Sequence, residues 1–265
     1  MTAAEPTRSV PSAVPTAVPA SIGLWVSSLG GSFMISRYAK AAADEQGFAG
    51  IWTSYFAGRA GLLGPVDADV VAAVIAFYPP EVVRVGWEAA LHTVPDIRSA
   101  GLRYARACHE WGRARMDGVE GLGRLADLTL AVARQADVTG LPLFAAWRAL
   151  PPPADDPARL AHGLELLREH RGGQHVAAVL AGGLPPLQAI LAGPGGEANA
   201  TFFGWTGPFE DPGPYRELRQ RVEGATETAA ARAYEVLDDG ELSELAEGLE
   251  MVGAHLARRA TLGRS

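Results

Sequence analysis

The chain has 265 residues, 48% of them hydrophobic, and a formal net charge of −7. That is enough apolar material for one large or two modest cores, and too little charge for a disordered polyelectrolyte. The negative balance argues against broad affinity for nucleic acid or anionic lipid, both of which reward positive charge.

Residues 1–20 are rich in Pro, Ala, Ser and Thr and read as a flexible leader. They lack a compact apolar stretch of the secretory kind. "SIGLWVSSLGGSFMISRYAKAAADEQG" is helical in pattern but carries Gly30-Gly31. A glycine pair costs a helix roughly 1 kcal/mol per residue relative to alanine, so it marks a kink or a close approach by another backbone or a ligand. "GFAGIWTSYFAGRAGLLGPV" places Phe48, Ile51, Trp52, Tyr55 and Phe56 on one stripe and ends at Gly61, Gly64 and Pro65. "DADVVAAVIAFY" is a short apolar helix with Asp67 and Asp69 near its start, where acids suit the helix dipole.

Three more helices follow: "EVVRVGWEAALHTV", "PDIRSAGLRYARACHEWGRARM" and the amphipathic "GVEGLGRLADLTLAVARQADV". Pro151 to Pro153 is the best internal boundary, dividing an N-terminal helical region, 21–150, from a C-terminal one, 154–262, the two packing as one globular unit. "LREHRGGQHVAAVLAGGLPPLQAIL" then has the outline of a helix-turn-helix, and two helices from about Tyr215 finish the chain. No long run alternates at period two. The expected class is all-α, a multi-helix bundle with degenerate helix-turn-helix, winged-helix-like elements.

A base-reading helix needs Arg, Lys, Asn or Gln facing the major groove. "LPPLQAIL" offers only Gln188. Arg216, Arg219 and Arg221 are interleaved with Glu217 and Glu223, the pattern of a solvated helix face. Sequence-specific DNA binding is therefore not expected.

Two stretches could carry chemistry. In "SYFAGRAGLLGPV", Tyr55 and Arg59 share a helix face beside Ser54, and an arginine among glycines can reach an anionic group. The alternative is that Arg59 pairs with a buried carboxylate and joins two helices. In "REHRGGQH", a turn at Gly172-Gly173 would bring Arg171 and His175 together, for charge neutralisation and proton transfer. The alternative is a helix C-terminus whose basic residues complement the dipole. Candidate general bases are Asp44, Glu45 and Glu110, each also readable as a surface acid. His175, Tyr55 and Glu45 are thus the expected catalytic set, with Arg59, Arg171, Ser54 and Trp205 holding substrate. The six tryptophans could wall a pocket or simply fill the core. His170 and His175 are off register for a shared metal. Cys108 stands alone, so no intramolecular disulfide forms. With no phosphate loop, dinucleotide fingerprint or nucleophile elbow, no cofactor and no metal are expected. With no apolar run of about 18 residues, no membrane span is expected either, and the default location is the cytoplasm.

"YFAGRAGLLGPV", "GLPLFAAWRALPPP", "REHRGGQH" and "GWT" together resemble a family of all-helical actinobacterial proteins described as helix-turn-helix or winged-helix-like. Its members are often found among genes for specialised metabolism. The resemblance spans Leu24 to about Ala257 and implies the fold without supplying a chemistry. The chain departs from the family pattern twice. It reads "SLGGSF" where many members carry a Glu-Pro-x-His-like stretch. "GWTGPFEDPGP" also runs almost directly into Tyr215, where a recognition helix and wing would be expected. The expectation is a cofactor-independent enzyme of natural-product metabolism, a lyase or cyclase acting on a small anionic substrate. The alternative is a ligand-responsive regulator or accessory binding protein. Pairing with a second copy or a partner subunit stays open.

Overall fold

In a computed structural model the backbone is described for residues 17–262 and the side chains for 20–259. Most of the expected leader, residues 1–16, lies outside that range. Helix α1 already begins at Ala17. The described residues form thirteen α-helices, three short 3-10 turns and no strand, which is the all-α class expected.

The first half comprises α1 (Ala17–Ser32), α2 (Arg37–Glu45), α3 (Ile51–Ala60), α4 (Ala68–Ile75), α5 (Pro80–Thr93), α6 (Ile97–Arg115), α7 (Leu122–Gln135) and α8 (Pro142–Arg148). The local signals act where they stand. Ser36, Asp67 and Asp96 each accept a hydrogen bond from a backbone N–H at the start of α2, α4 and α6, which satisfies an otherwise orphaned donor. Pro80 and Pro142 open α5 and α8, where a missing N–H costs nothing.

Helix α9 (Asp156–Ala181) is the axis of the molecule. Its 26 residues extend about 39 Å at 1.5 Å per residue. It packs against α1, α6, α7, α8 and α12 (Arg216–Ala231). The expected turn at Gly172-Gly173 is absent, because α9 runs straight through the pair. Gly173 lies against the α7–α8 connection, where an added Cβ would come within 2.5 Å of Leu141 Cδ2. Packing on five neighbours outweighs the poor helix propensity of two glycines. Gly30 obeys the same logic. Helix α1 is unbroken there, and a Cβ at Gly30 would meet the Leu164 carbonyl at 3.0 Å and Arg168 Cβ at 3.1 Å. The glycine pair marks a close approach of α1 to α9.

After α9 the chain turns at Gly182-Gly183, with Gly183 at φ +68°, into α10 (Pro186–Leu191) and α11 (Gly196–Phe202). Helices α12 and α13 (Asp239–Leu262) close the fold, with a 3-10 turn over Arg232–Val236 between them. The largest apolar cluster joins α1, α6, α7, α8, α9 and α13 around Phe144, Trp147, Leu160 and Leu164. A second joins α3, α4 and α5 around Phe56 and Trp87. No described helix is long and apolar enough to cross a membrane.

Candidate functional site

Tyr55 and Arg59, four apart on α3, face α9 together. Arg59 donates from Nε to Glu169 Oε1 at 2.6 Å, from Nη2 to Glu169 Oε2 at 2.9 Å, and from Nη1 to the Tyr55 hydroxyl at 3.0 Å. Bidentate geometry of this kind is the strongest form of an arginine–carboxylate pair. Arg168, one residue before Glu169, also donates to Glu169 Oε1 at 3.1 Å and lies 3.8 Å from Glu165. Glu165 and Glu169 are buried and four apart on one face of α9.

Their environments drive the two carboxyls apart. Burial pushes Glu165 well above the usual carboxylate range, Arg168 offsets this only in part, and the Glu169 charge adds to it. Glu169 is as deeply buried, but the Arg59 charge and its hydrogen bonds, with Arg168 behind them, hold it below the usual range. Like charges at this separation do not both ionise readily. The arrangement favours the charged form of Glu169 and disfavours a second charge on Glu165, beside the guanidiniums of Arg59 and Arg168.

Arg59, Arg168 and Glu169 line one end of a cavity of about 490 Å³ between α3, α4, α8 and α9, with Glu165 outside its lining. The other walls are apolar, from Val74, Phe77, Leu143, Val176 and Phe203 among others. Gly172 helps keep the space open: a Cβ there would find only Arg59 Nη2, at 4.0 Å. Ala76, at φ +46°, turns the chain sharply at the end of α4 and sets Phe77 and Tyr78 on the cavity wall. Tyr78 packs against Tyr55 with ring centroids 5.8 Å apart, and burial raises its hydroxyl pKa above the ordinary value.

The expected site residues divide. Tyr55 and Arg59 line this cavity. Arg171 does not: it projects from α9 toward α12 and pairs with Glu227 and, at 3.3 Å, with Glu223. His175 lies on that same side, with Nδ1 3.0 Å from Thr226 Oγ1 and its ring stacked behind Phe77 at 5.4 Å. Arg171 and His175 thus come together as expected at "REHRGGQH", but on one face of a continuous helix rather than across a turn, and that face points away from the cavity that 169, 172 and 176 line. Trp205 sits behind the wall, its Nε1 donating to the Phe77 carbonyl at 3.0 Å. Glu45 pairs with Arg103 at 2.6 Å, away from the cavity. Ser54 lines a separate cavity on the far side of Tyr55.

Glu165, Arg168, Glu169, Gly172 and Tyr78 were not foreseen in this role. Their signal was present in "ELLREHRGGQHV", where positions 165, 168, 169, 172 and 176 form one helix face. That face is legible only if the glycine pair is helical.

The helix-turn-helix-like segment also becomes concrete. Helix α10 is six residues long, and Gln188, Ala189, Ile190 and Leu191 are all buried. Its one polar side chain therefore faces the interior. Arg219 reaches back to the Ala189 carbonyl at 3.1 Å and pairs with Glu223 at 2.9 Å. Among the described residues no three His, Cys, Asp or Glu side chains gather as metal ligands.

A family model described as "Helix-turn-helix family" matches residues 25–211, and the chain belongs to that family. No curated protein and no solved structure matches it.

Proposed function

We propose that this helix-turn-helix family member does not read DNA with its α10 segment but holds a small anionic molecule, largely apolar in body, in the cavity between α3 and α9. The observation that carries the reading is the cluster at the cavity's end: two guanidiniums, Arg59 and Arg168, share the one carboxylate of Glu169, and burial disfavours a second negative charge on Glu165 behind them. A largely buried cation that shares its counter-charge is costly, and an anion in the adjoining cavity relieves it. The apolar walls would take the rest of the molecule.

The chemistry that suits these parts is a cofactor-independent elimination or ring closure in which an anionic group such as sulfate or phosphate leaves. Glu169 would accept the proton lost from the substrate's C–H, N–H or O–H. The electron pair freed there forms the new bond, and the bond to the leaving oxygen breaks. As Glu169 becomes neutral, Arg59 and Arg168 lose one counter-charge and gain the leaving anion in its place, so the buried charge balance is kept through the step. Here Arg168 and Glu169 take the parts that the sequence assigned to Arg171 and His175. Tyr55 and Tyr78 remain as hydroxyls to orient the substrate. The family resemblance supports a place in specialised metabolism.

Calorimetric titration with a naphthalene sulfonate, an apolar anion of suitable size, tests the reading. The native protein is expected to bind one equivalent, and Gly172→Leu, which fills the cavity from a helical position with room for it, is expected to abolish saturation without lowering the melting temperature. Equal affinity in both proteins would sink the proposal. The second reading, a ligand-responsive regulator, draws on the family match. A specific shift of the protein's own promoter DNA at physiological salt would favour it over the enzyme.

A further inference from the structure

An open hollow of about 600 Å³ lies where the start of α2 meets the last turns of α6 and α13. It shares no lining residue with the cavity between α3 and α9. Three arginines from three helices line it, Arg37, Arg115 and Arg259, and no carboxylate does. This runs against the rest of the chain, where 30 acidic residues outnumber 23 basic ones. Arg59, Arg113, Arg124, Arg159 and Arg171 each hold a carboxylate.

The three cations of the hollow have only neutral partners. Arg37 donates to the Tyr38 hydroxyl at 2.9 Å, and its guanidinium lies 5.0 Å from the centre of that ring. Arg259 donates to the Asp117 carbonyl at 3.3 Å. The half-buried Arg115 side chain makes no hydrogen bond or ion pair among the described residues. A helix start adds partial positive charge, and that of α2, capped by Ser36, borders the same space. Like charges gathered in this way repel one another, and an anion between them turns the repulsion into attraction. Trp111 and Leu256 supply an apolar floor.

We infer that this hollow is a second anion site, for the diphosphate group of a small molecule. Guanidinium forks take phosphate oxygens in pairs, and three of them suit a group with several negative charges rather than a single carboxylate. The arginines converge on one hollow from three helices instead of forming a stripe along a surface. That arrangement, with the net charge of −7, favours a compact ligand over a nucleic-acid backbone. The diphosphate comes either as the free ion or as an ester whose organic part lies on the apolar floor.

Calorimetric titration of the full chain at physiological salt tests this, with inorganic pyrophosphate, ADP and a short random-sequence DNA duplex as probes. Saturable binding of pyrophosphate or ADP is expected. Tighter binding of ADP would identify an ester as the occupant, and the reverse order the free ion. Arg115→Gln removes a charge that has no partner to strand, and should weaken binding about tenfold, the effect of one charge-assisted contact. Arg37→Gln should do the same. Arg221→Gln, which removes an equal charge from an exposed position on α12 outside the hollow, should leave affinity unchanged. Gly172→Leu should also leave it unchanged, so this site and the naphthalene sulfonate site stand or fail separately. No saturation by either phosphate compound, equal losses in Arg221→Gln and Arg115→Gln, loss in Gly172→Leu, or tighter binding of the duplex that Arg115→Gln weakens would each overturn the assignment.

Discussion

Arg59 is the residue on which two helices and one cavity meet, and its partners decide how it responds to change. The sequence left two readings open for it, a ligand contact or a tie between helices, and the geometry contains both. Its guanidinium is bonded to Glu169 and Tyr55 while it also lines the cavity. Arg59→Ala is therefore not a silent probe of binding. It strands the Glu169 carboxylate, which is 1% exposed, with Arg168 as sole cation, and should lower stability by about 3 kcal/mol or more in urea unfolding. A companion change follows from the same physics. Arg59→Met with Glu169→Leu removes both charges, and should recover most of that loss because matched apolar groups avoid the desolvation cost. If the double variant is no more stable than Arg59→Met alone, the pair is not the buried unit described here.

Among the elements, α9 best separates local preference from tertiary demand. It contains Gly163, Gly172 and Gly173 within one helix, of which Gly163 answers to Thr129 and Gly173 to Leu141. At Gly172 the helix penalty of glycine acts without a packing reason, so Gly172→Ala is expected to raise stability by about 0.5–1 kcal/mol. Gly112, on α6 where it crosses the start of α9, is the opposite case. A Cβ there would lie 2.6 Å from the Pro157 carbonyl oxygen and 2.7 Å from Ala161 Cβ. Gly112→Ala forces the two helices apart and should cost about 1–3 kcal/mol despite the better helix former. Thermal melts of the two variants should move in opposite directions; shifts of the same sign would refute the packing account. Helix α10 carries the same contrast into function. Its helix-turn-helix spacing is legible in "AGGLPPLQAIL", but burial of Gln188 is a property of what it packs against.

For the whole molecule, pH is the sharpest probe, because buried histidines are spread along α6 and α9. His109 Nε2 and His162 Nδ1 are 3.3 Å apart. Burial lowers both to about 4, with His162 further disfavouring a charge on His109, and burial likewise lowers His170 to about 4. The unfolded chain takes up these protons near pH 6.5, while the folded one refuses them until about pH 4. Stability from these groups is thus complete above pH 6.5 and is lost as pH falls toward 4. Glu165 acts in the opposite sense: with its pKa raised in the fold, its contribution is present at low pH and lost as pH rises. Three histidines outweigh one carboxyl, so the net slope between pH 6 and 5 should be on the order of 2 kcal/mol per pH unit. His162→Gln should flatten it. A pH-independent unfolding free energy across that interval would contradict the buried, neutral pair.

The sequence by itself determined the all-α class and most of the longer helices, since those follow from periodicity; the short α8 and α11 depend on what they pack against. It also set Tyr55 and Arg59 side by side, since they need only one helix to be neighbours. It could not place Arg171, His175, Glu45 and Ser54, nor find Glu165, Arg168 and Glu169 as one charged group. The assignments on α9 hang on whether Gly172-Gly173 breaks the helix, and that is decided by contacts with five other helices that no local stretch records. A glycine pair in isolation favours a turn; wedged beside Leu141, it favours the only conformation that lets α9 pass.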